Sequence, residues 1–267
     1  MRPIKDFSKE DRQKVRYLLS DIDDTITSEG RLTAEAYQAL EDLKAAGFVV
    51  VPITGRPAGW CDHFCRMWPV DAIVGENGAF YFRYDHENRK MVQRYWKDEE
   101  TRKADRLKLD QLRDRILDEV PGCALASDQN YRDADLAIDF CEDVPPLPRE
   151  DISRIVSLFE EAGAVAKVSS IHVNGWFGNY DKLSMTRLLF REVFGEELET
   201  VREEVAFSGD SPNDAPMFGF FPHSVGVANV RDFEDQLAAK PGWITEGHSG
   251  TGFVEMARLL IKARKPD

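Results

Sequence analysis

The sequence has no long apolar run, few cysteines and no excess of positive charge. None of its apolar stretches approaches the roughly 20 residues that a membrane-spanning helix needs, and the charged start, MRPIKDFSKEDRQK, lacks the apolar segment of a signal peptide. With 35 Lys and Arg residues against 48 Asp and Glu residues, the net charge is -13. This balance argues against binding nucleic acid by neutralising phosphates. We therefore expect neither a membrane partner nor a nucleic-acid partner.

The four cysteines, Cys61, Cys65, Cys123 and Cys141, form no C-x-x-C pair. Cys61 and Cys65 are spaced for one face of a helix, so metal binding by this pair is one interpretation. Buried, reduced thiols are the favoured interpretation. Without a secretion signal, reduced thiols indicate a cytoplasmic protein.

The segment YLLSDIDDT, residues 17–25, directs the rest of the interpretation. Its apolar start predicts a buried strand, and acidic residues follow at the point where that strand ends. Asp21 and Asp23 are two residues apart, so a regular strand would direct both to one face. Like charges this close repel unless a cation or a proton intervenes. The segment predicts a divalent metal site, a nucleophile and acid pair, or both; an acidic turn with a helix cap remains the alternative.

A second motif follows the next predicted strand. Thr33 is a candidate N-cap for a helix that ends near Gly47, and residues 48–53 then form an apolar, β-rich run. Such a strand–helix–strand unit makes the two strands parallel, so Thr54 should emerge at the same sheet edge as Asp21. The Thr54 hydroxyl and the backbone opened by Gly55 could bind phosphate oxygens there. The alternative is that Thr54 only caps the next helix.

The order of the elements predicts two units. Strands and helices alternate up to about residue 83, and the alternation resumes with a helix at Lys182 and a strand at 205–208. Between them, residues 84–177 read as helix–strand–strand–helix–strand–strand, which is an α+β arrangement. We therefore predict an α/β fold with a doubly wound, mainly parallel Rossmann-like core sheet. Residues 1–83 and 178–267 would form this core, with residues 1 to about 14 as a polar leader, and residues 84–177 an inserted α+β cap domain.

Four motifs together carry a resemblance to a known family. The segments DIDDT, TGR, a lysine that opens a helix, and GDSPND occur in the order and spacing of the haloacid dehalogenase (HAD) superfamily. The insertion resembles the C2B cap of its class IIB branch, which includes sucrose-phosphate phosphatase, the Cof-type sugar phosphatases and the α-phosphomannomutases. The resemblance implies a Mg²⁺-dependent phosphatase that hydrolyses a small phosphomonoester, with a sugar phosphate as the favoured substrate, through an aspartyl-phosphate intermediate.

The resemblance also implies a role for each motif residue. Asp21 would be the nucleophile, and Asp23 would be the general acid for the leaving alcohol and the base for the hydrolytic water. The metal ligands would be Asp21, the backbone carbonyl of Asp23, and Asp210, with Asp214 as an outer ligand. The phosphoryl oxygens would be bound by Thr54, Gly55, Lys182 and Asn213. Asp24 is a departure, because the family often has Gly at this position.

Substrate selection would come from the cap, and three cap residues are candidate substrate ligands: Arg132, His172 and Asn174. An arginine suits a second anionic group of the substrate, and an asparagine suits a sugar ring. Strand alternation directs His172, Asn174 and Trp176 to one face, which favours either a shared function or a shared core.

Two other functions remain open. A phosphomutase resembling α-phosphomannomutase would isomerise a sugar phosphate without releasing phosphate. A non-catalytic binding protein on the same scaffold would typically lack Asp21 or Asp23, and both are present. In each enzymatic case the expected partner is a small phosphorylated metabolite, and the expected state is a monomer or a homodimer.

Overall fold

The computed structural model describes residues 1–264. The strands are β1 (Arg2–Pro3), β2 (Tyr17–Ser20), β3 (Val49–Pro52), β4 (Ile73–Gly75), β5 (Phe80–Asp85), β6 (Lys90–Tyr95), β7 (Ala124–Leu125), β8 (Leu136–Asp139), β9 (Val165–Val168), β10 (His172–Trp176), β11 (Val205–Gly209), β12 (His223–Gly226) and β13 (Trp243–Ile244). The α-helices are α1 (Lys9–Lys14), α2 (Ala34–Ala45), α3 (Ala58–Met67), α4 (Glu99–Glu119), α5 (Arg149–Glu161), α6 (Lys182–Leu189), α7 (Leu198–Val201), α8 (Ala215–Phe220) and α9 (Ser249–Arg264).

The largest sheet has six strands in the order β1–β13–β12–β11–β2–β3, and each neighbouring pair is parallel. Helices α2, α3 and α9 contribute to the apolar core on one face, and α6, α7 and α8 contribute to the core on the other. Adjacent residues of β2 show the division, because Leu18 belongs to the first core and Leu19 to the second. The predicted doubly wound, mainly parallel core sheet is confirmed.

The register of this sheet brings the sequence motifs to one edge. Ser20 at the end of β2 pairs with Pro52 of β3 on one side and with Ser208 of β11 on the other. The residues that follow these three strands therefore emerge next to one another, at the carboxyl edge where ligands bind in open α/β sheets.

A second sheet of four antiparallel strands, in the order β7–β8–β10–β9, lies within residues 124–176. Helices α4 and α5 pack on it through a separate apolar core, to which α4 contributes Leu109, Leu112 and Ile116, as the helical periodicity predicts. We call residues 99–176 the cap. The helix–strand–strand–helix–strand–strand order of α4–β10 agrees with the expected α+β arrangement.

A third sheet consists of β4, β5 and β6, paired antiparallel. The turn after β4 and the return strand β5 form a hairpin. The charged segment that follows β5 forms strand β6, which pairs antiparallel with β5 along the full length of both strands. The sheet therefore continues beyond residue 84. The predicted domain limits remain a prediction.

The first 14 residues are not a free polar leader, and that part of the interpretation is wrong. β1 pairs with β13, and Ile4 and Phe7 are each 1% exposed. The Phe7 ring stacks on Trp243 with 5.0 Å between centroids. Two apolar residues of a charged segment therefore lie in the core, while β1 and helix α1 remain on the surface.

All four cysteines are free thiols; Cys61 and Cys65 are buried as predicted, and Cys123 and Cys141 are half-buried. No helix in the described part of the chain is both long enough and apolar enough to cross a membrane.

Candidate active site

Three carboxylates meet at the carboxyl edge of the six-stranded sheet. Asp21 follows β2, and Asp210 and Asp214 follow β11; one oxygen from each lies within 4.8 Å of the others, and all three residues are buried. Buried carboxylates this close need a cation or a proton among them. A set made only of oxygen donors fits Mg²⁺, which prefers oxygen ligands and retains several waters.

Lys182 supplies part of the opposite charge. Its Nζ donates to Asp21 Oδ1 and to Asp214 Oδ1, each at 2.7 Å, and the residue is 2% exposed. The lysine opens α6, where the helix dipole disfavours a cation, and the Asp181 cap offsets this by accepting from Ser184 N. One lysine against three carboxylates leaves negative charge that a divalent cation would match.

Burial changes the protonation of this cluster. It raises the pKa of Asp21 to about 8; the Asp214 and Asp23 charges add to the effect and Lys182 opposes it. Burial, together with Asp21 and Asp214, also raises the pKa of Asp210. Binding of a proton and binding of a cation at this cluster would therefore compete.

The Asp23 carboxylate does not belong to this three-carboxylate cluster. Arg56 Nε donates to Asp23 Oδ1 at 2.9 Å and to Oδ2 at 3.0 Å. This contact fixes the orientation of the Asp23 side chain, which is the predicted general acid and base. The resemblance implies the backbone carbonyl of Asp23 as the metal ligand, and that role remains a prediction.

Arg56, the last residue of the TGR segment, connects the site to the cap, and no role was predicted for it. Besides Asp23, its guanidinium binds Asp128 Oδ2 at 3.3 Å and Glu142 Oε1 at 2.8 Å, both from the cap. The group lies 4.5 Å from the Trp60 ring centroid and the residue is 4% exposed. Its place directly after Thr54 and Gly55 is the one sequence signal that could have identified it, since its partners are 72 and 86 residues away.

The predicted phosphate-binding residues lie around the same edge. Thr54 is fully buried, and its hydroxyl accepts from Arg56 N at 3.0 Å. The N-cap of α3 is Pro57, so the alternative in which Thr54 only caps that helix is wrong. Gly55 and Asn213 line one cavity with Asp21 and Asp23.

The alternative interpretation of the DIDDT segment, an acidic turn with a helix cap, is also wrong in part. Helix α2 is capped by Thr33, whose side chain accepts from Ala36 N, and not by the acidic residues. Asp24 has φ 53°, in the left-handed region that glycine adopts without cost, which explains why Gly suits this position. Its carbonyl accepts from Asn229 Nδ2 at 3.0 Å, and the same amide donates to Asp210 Oδ2 at 3.2 Å. No pattern in the sequence predicted this role of Asn229.

Arg132 lines the cavity, but its charge is already matched. Its guanidinium binds Asp128 and Asp135 through both oxygens of each, at 2.9 to 3.1 Å, and donates to Gly55 O at 2.9 Å. Its side chain is fully buried. This geometry favours a structural role between cap and core over the expected binding of a second anionic group.

The other two cap candidates also line the cavity. Asn174 Nδ2 donates to Asp135 Oδ2 at 3.0 Å. His172 Nε2 lies 2.9 Å from Glu142 Oε2, but the two atoms are not aligned for a hydrogen bond. Trp176 does not share this environment, because it packs in the core against Tyr180.

The cavity between cap and core is small, with a volume of about 20 Å³. That space holds one or two water molecules, so a larger ligand would require movement of the cap. A more open pocket of about 290 Å³ lies beside it, and Asp23, Arg56 and Ile171 line both. These three residues separate the two spaces.

Comparisons with known proteins concern the fold that carries this site. Residues 18–111 match the family model described as haloacid dehalogenase-like hydrolase. A protein of Thermoplasma acidophilum has 18% sequence identity and a TM-score of 0.67, over 92% of this chain and 98% of its own. The chain has the haloacid dehalogenase-like hydrolase fold. The resemblance expected from the four motifs is confirmed.

Two further structures are sugar phosphatases. The sucrose-phosphatase from Synechocystis, solved with sucrose and phosphate, has 16% identity and a TM-score of 0.63, over 93% of this chain and 98% of its own. A sugar phosphatase of HAD subclass IIB has 15% identity and a TM-score of 0.60, over 91% and 98%. At these identities the likeness concerns the fold. No curated protein matches the chain.

Proposed function

We propose that the protein is a Mg²⁺-dependent phosphatase that hydrolyses a small phosphomonoester, with a sugar phosphate as the favoured substrate. One observation carries this proposal. The buried carboxylates of Asp21, Asp210 and Asp214 and the ammonium group of Lys182 form a single cluster at the sheet edge, and Asp23 lines the same small cavity as Asp21.

The first step uses Asp21 as the nucleophile. A carboxylate oxygen of Asp21 attacks phosphorus, the bond from phosphorus to the leaving oxygen breaks, and an aspartyl phosphate forms. Asp23 gives its proton to the leaving alcohol, and Arg56 keeps the Asp23 carboxyl group directed into the cavity. Lys182 stabilises the charge on the phosphoryl oxygens in the transition state.

The second step hydrolyses the intermediate. Asp23, now ionised, takes a proton from water, whose oxygen attacks phosphorus; the bond to the Asp21 oxygen breaks and inorganic phosphate leaves. Thr54, Gly55 and Asn213 would hold the phosphoryl oxygens in both steps. Closure of the cap keeps other water away from the reacting atoms.

Asp21 and Asp210 would hold the Mg²⁺ together with the backbone carbonyl of Asp23, and Asp214 would act as an outer ligand. When bound, the ion neutralises charge on the phosphoryl group and keeps these carboxylates ionised. We also propose that the protein acts on a free phosphorylated metabolite in the cytoplasm, as a monomer or a homodimer; its four free thiols fit a reducing compartment.

The test is a panel of phosphorylated metabolites assayed for phosphate release with Mg²⁺, with EDTA and with the Asp21→Asn variant. We expect release from at least one sugar phosphate, and loss of that activity with EDTA or the variant. Turnover that survives Asp21→Asn would refute the nucleophile. Isomerisation of a hexose phosphate without phosphate release would instead support a phosphomutase.

A further inference from the structure

The turn formed by Glu76, Asn77 and Gly78, which follows β4, has no part in the proposed chemistry. Its three residues all have positive φ, at 43°, 53° and 107°. Positive φ is uncommon for residues other than glycine, so neighbouring contacts must stabilise this conformation. We call this segment the 76–78 turn.

Glu76 joins the core to the cap. The residue is fully buried; Oε1 accepts from Ala58 N at 2.9 Å and Asp133 N at 2.8 Å, and Oε2 accepts from Ala134 N at 2.6 Å and Asp135 N at 3.1 Å. Ala58 begins α3 in the core, whereas the other three amides precede β8 in the cap. One carboxylate therefore fixes three consecutive cap amides relative to a core helix.

Asn77 contacts the predicted phosphate-binding residues. Its backbone N–H donates to Thr54 O at 3.1 Å, and its Oδ1 accepts from Asn213 Nδ2 at 3.4 Å. A Cβ atom on Gly55 would lie 3.1 Å from Asn77 Nδ2, a buried amide nitrogen with no partner in residues 1–264. The asparagine thus links the loop after β3 to the loop after β11.

Gly78 contacts the start of the helix that carries Lys182. A Cβ atom at this position would lie 2.1 Å from Asp181 O and 3.0 Å from Lys182 N. A larger residue would push this turn away from α6. The three residues of the 76–78 turn therefore contact the cap, the phosphate-binding loops and the Lys182 backbone in succession.

We propose that the 76–78 turn is a positioning element in which Glu76 anchors the cap and Asn77 and Gly78 keep the phosphate-binding residues in register with it. The proposal rests on the proposed phosphatase function. It predicts that the cap opens at the Arg56–Glu142 contact, where Glu142 is partly exposed, and remains attached at the fully buried Glu76.

Glu76→Gln tests the anchor, because glutamine keeps the shape but directs an NH₂ group at two of the four amide donors. For the best sugar phosphate, we expect kcat/KM to fall about tenfold, the factor that about 1.4 kcal/mol gives. For p-nitrophenyl phosphate, whose leaving group needs neither a proton nor cap contacts, we expect a loss of less than about threefold on the same scale. Hydrogen exchange should accelerate at the amides of residues 133–135.

Asp71→Asn is the matched control. Asp71 also accepts a backbone amide, from Val50, and pairs with Lys44, but it lies away from the cap. We expect this variant to lower thermal stability without changing the ratio of the two kcat/KM values or the exchange at residues 133–135.

A milder variant, Tyr95→Phe, keeps the test valid if Glu76→Gln does not fold. It removes the β6 hydroxyl that donates to Asp133 Oδ2, and should change exchange and substrate ratio in the same direction by a smaller factor. Equal losses on both substrates with unchanged exchange at residues 133–135 would overturn the proposal. If the unmodified protein hydrolyses no ester, the phosphatase function fails, and the exchange comparison alone decides whether Glu76 anchors the cap.

Discussion

The contact between Glu142 and Arg56 gives the sharpest prediction about cap closure. Burial alone would raise the pKa of Glu142, but His172 and Arg56 outweigh it and hold the pKa at about 2, against a usual 4.5. This difference corresponds to roughly 3 kcal/mol of preference for the ionised form. Because Glu142 is 26% exposed, solvent screening reduces the net contribution to about 1–2 kcal/mol.

The pH dependence follows from the lowered pKa. The stabilisation from Glu142 is fully present above the pKa of the unfolded chain, near 4.5, and is lost as the pH falls through the folded value near 2. By pH 3 more than half of the contribution is gone, on the order of 2 of the 3 kcal/mol before screening. The carboxylates of Asp23 and Asp128 also face Arg56. Both are unchanged in a variant that alters only Glu142, so their titration does not distinguish that variant from the unmodified protein.

Glu142→Gln should therefore lower the thermal midpoint at pH 7 by about 2–8 °C, the shift that 1–2 kcal/mol gives in a chain of this size. The difference from the unmodified protein should shrink between pH 4.5 and pH 3. Glu161→Gln is the control, because Glu161 is a cap glutamate that also forms ion pairs, with Arg115 and Arg154, but on the exposed surface and within the cap. A difference that is the same at pH 7 and pH 3 would refute the reasoning.

Three further predictions concern the site and the core. Lys182→Met should reduce kcat at least about 100-fold, since it removes a cation that stabilises the transition state; steady-state kinetics will check this, and activity within tenfold would contradict the role. Because the pKa of Asp21 is raised to about 8, Mg²⁺ binding should release protons and tighten from pH 6 to pH 8, measured by calorimetry in two buffers. A pH-independent affinity would exclude this coupling. Phe7→Ala should lower the free energy of unfolding by about 3–5 kcal/mol in urea titrations, because a fully buried ring is lost; a loss below 1 kcal/mol would restore the interpretation of residues 1–14 as a leader.

The central sheet and the place of its motifs were predictable because local patterns determine them. Tyr17–Ser20 and Val49–Pro52 are short apolar runs with a capped helix between them, and such a unit makes the strands parallel. Once the strands are parallel, Asp21 and Thr54 must share an edge. The resemblance then identified Asp210 and Lys182, far along the chain.

The contacts between cap and core were not predictable in the same way. Arg56 contacts Glu142 across 86 residues, and Glu76 accepts from the amides of residues 133–135 across 57 to 59 residues. A charged residue in a loop is usually solvated, and no periodicity distinguishes one that will be buried. Strand β6 was missed for a related reason, since its charged residues give no apolar alternation.

The order of strands in the central sheet has a consequence for synthesis of the protein. β2 is complete after 20 residues, yet its neighbour β11 begins only at residue 205. A growing chain therefore carries a hydrophobic strand with at least one unpaired edge while the 184 residues between β2 and β11 are synthesised, and such an edge is a template for aggregation. We expect chains truncated before residue 205 to depend on chaperones, and the carboxylate cluster cannot assemble until Asp210 and Asp214 have been synthesised.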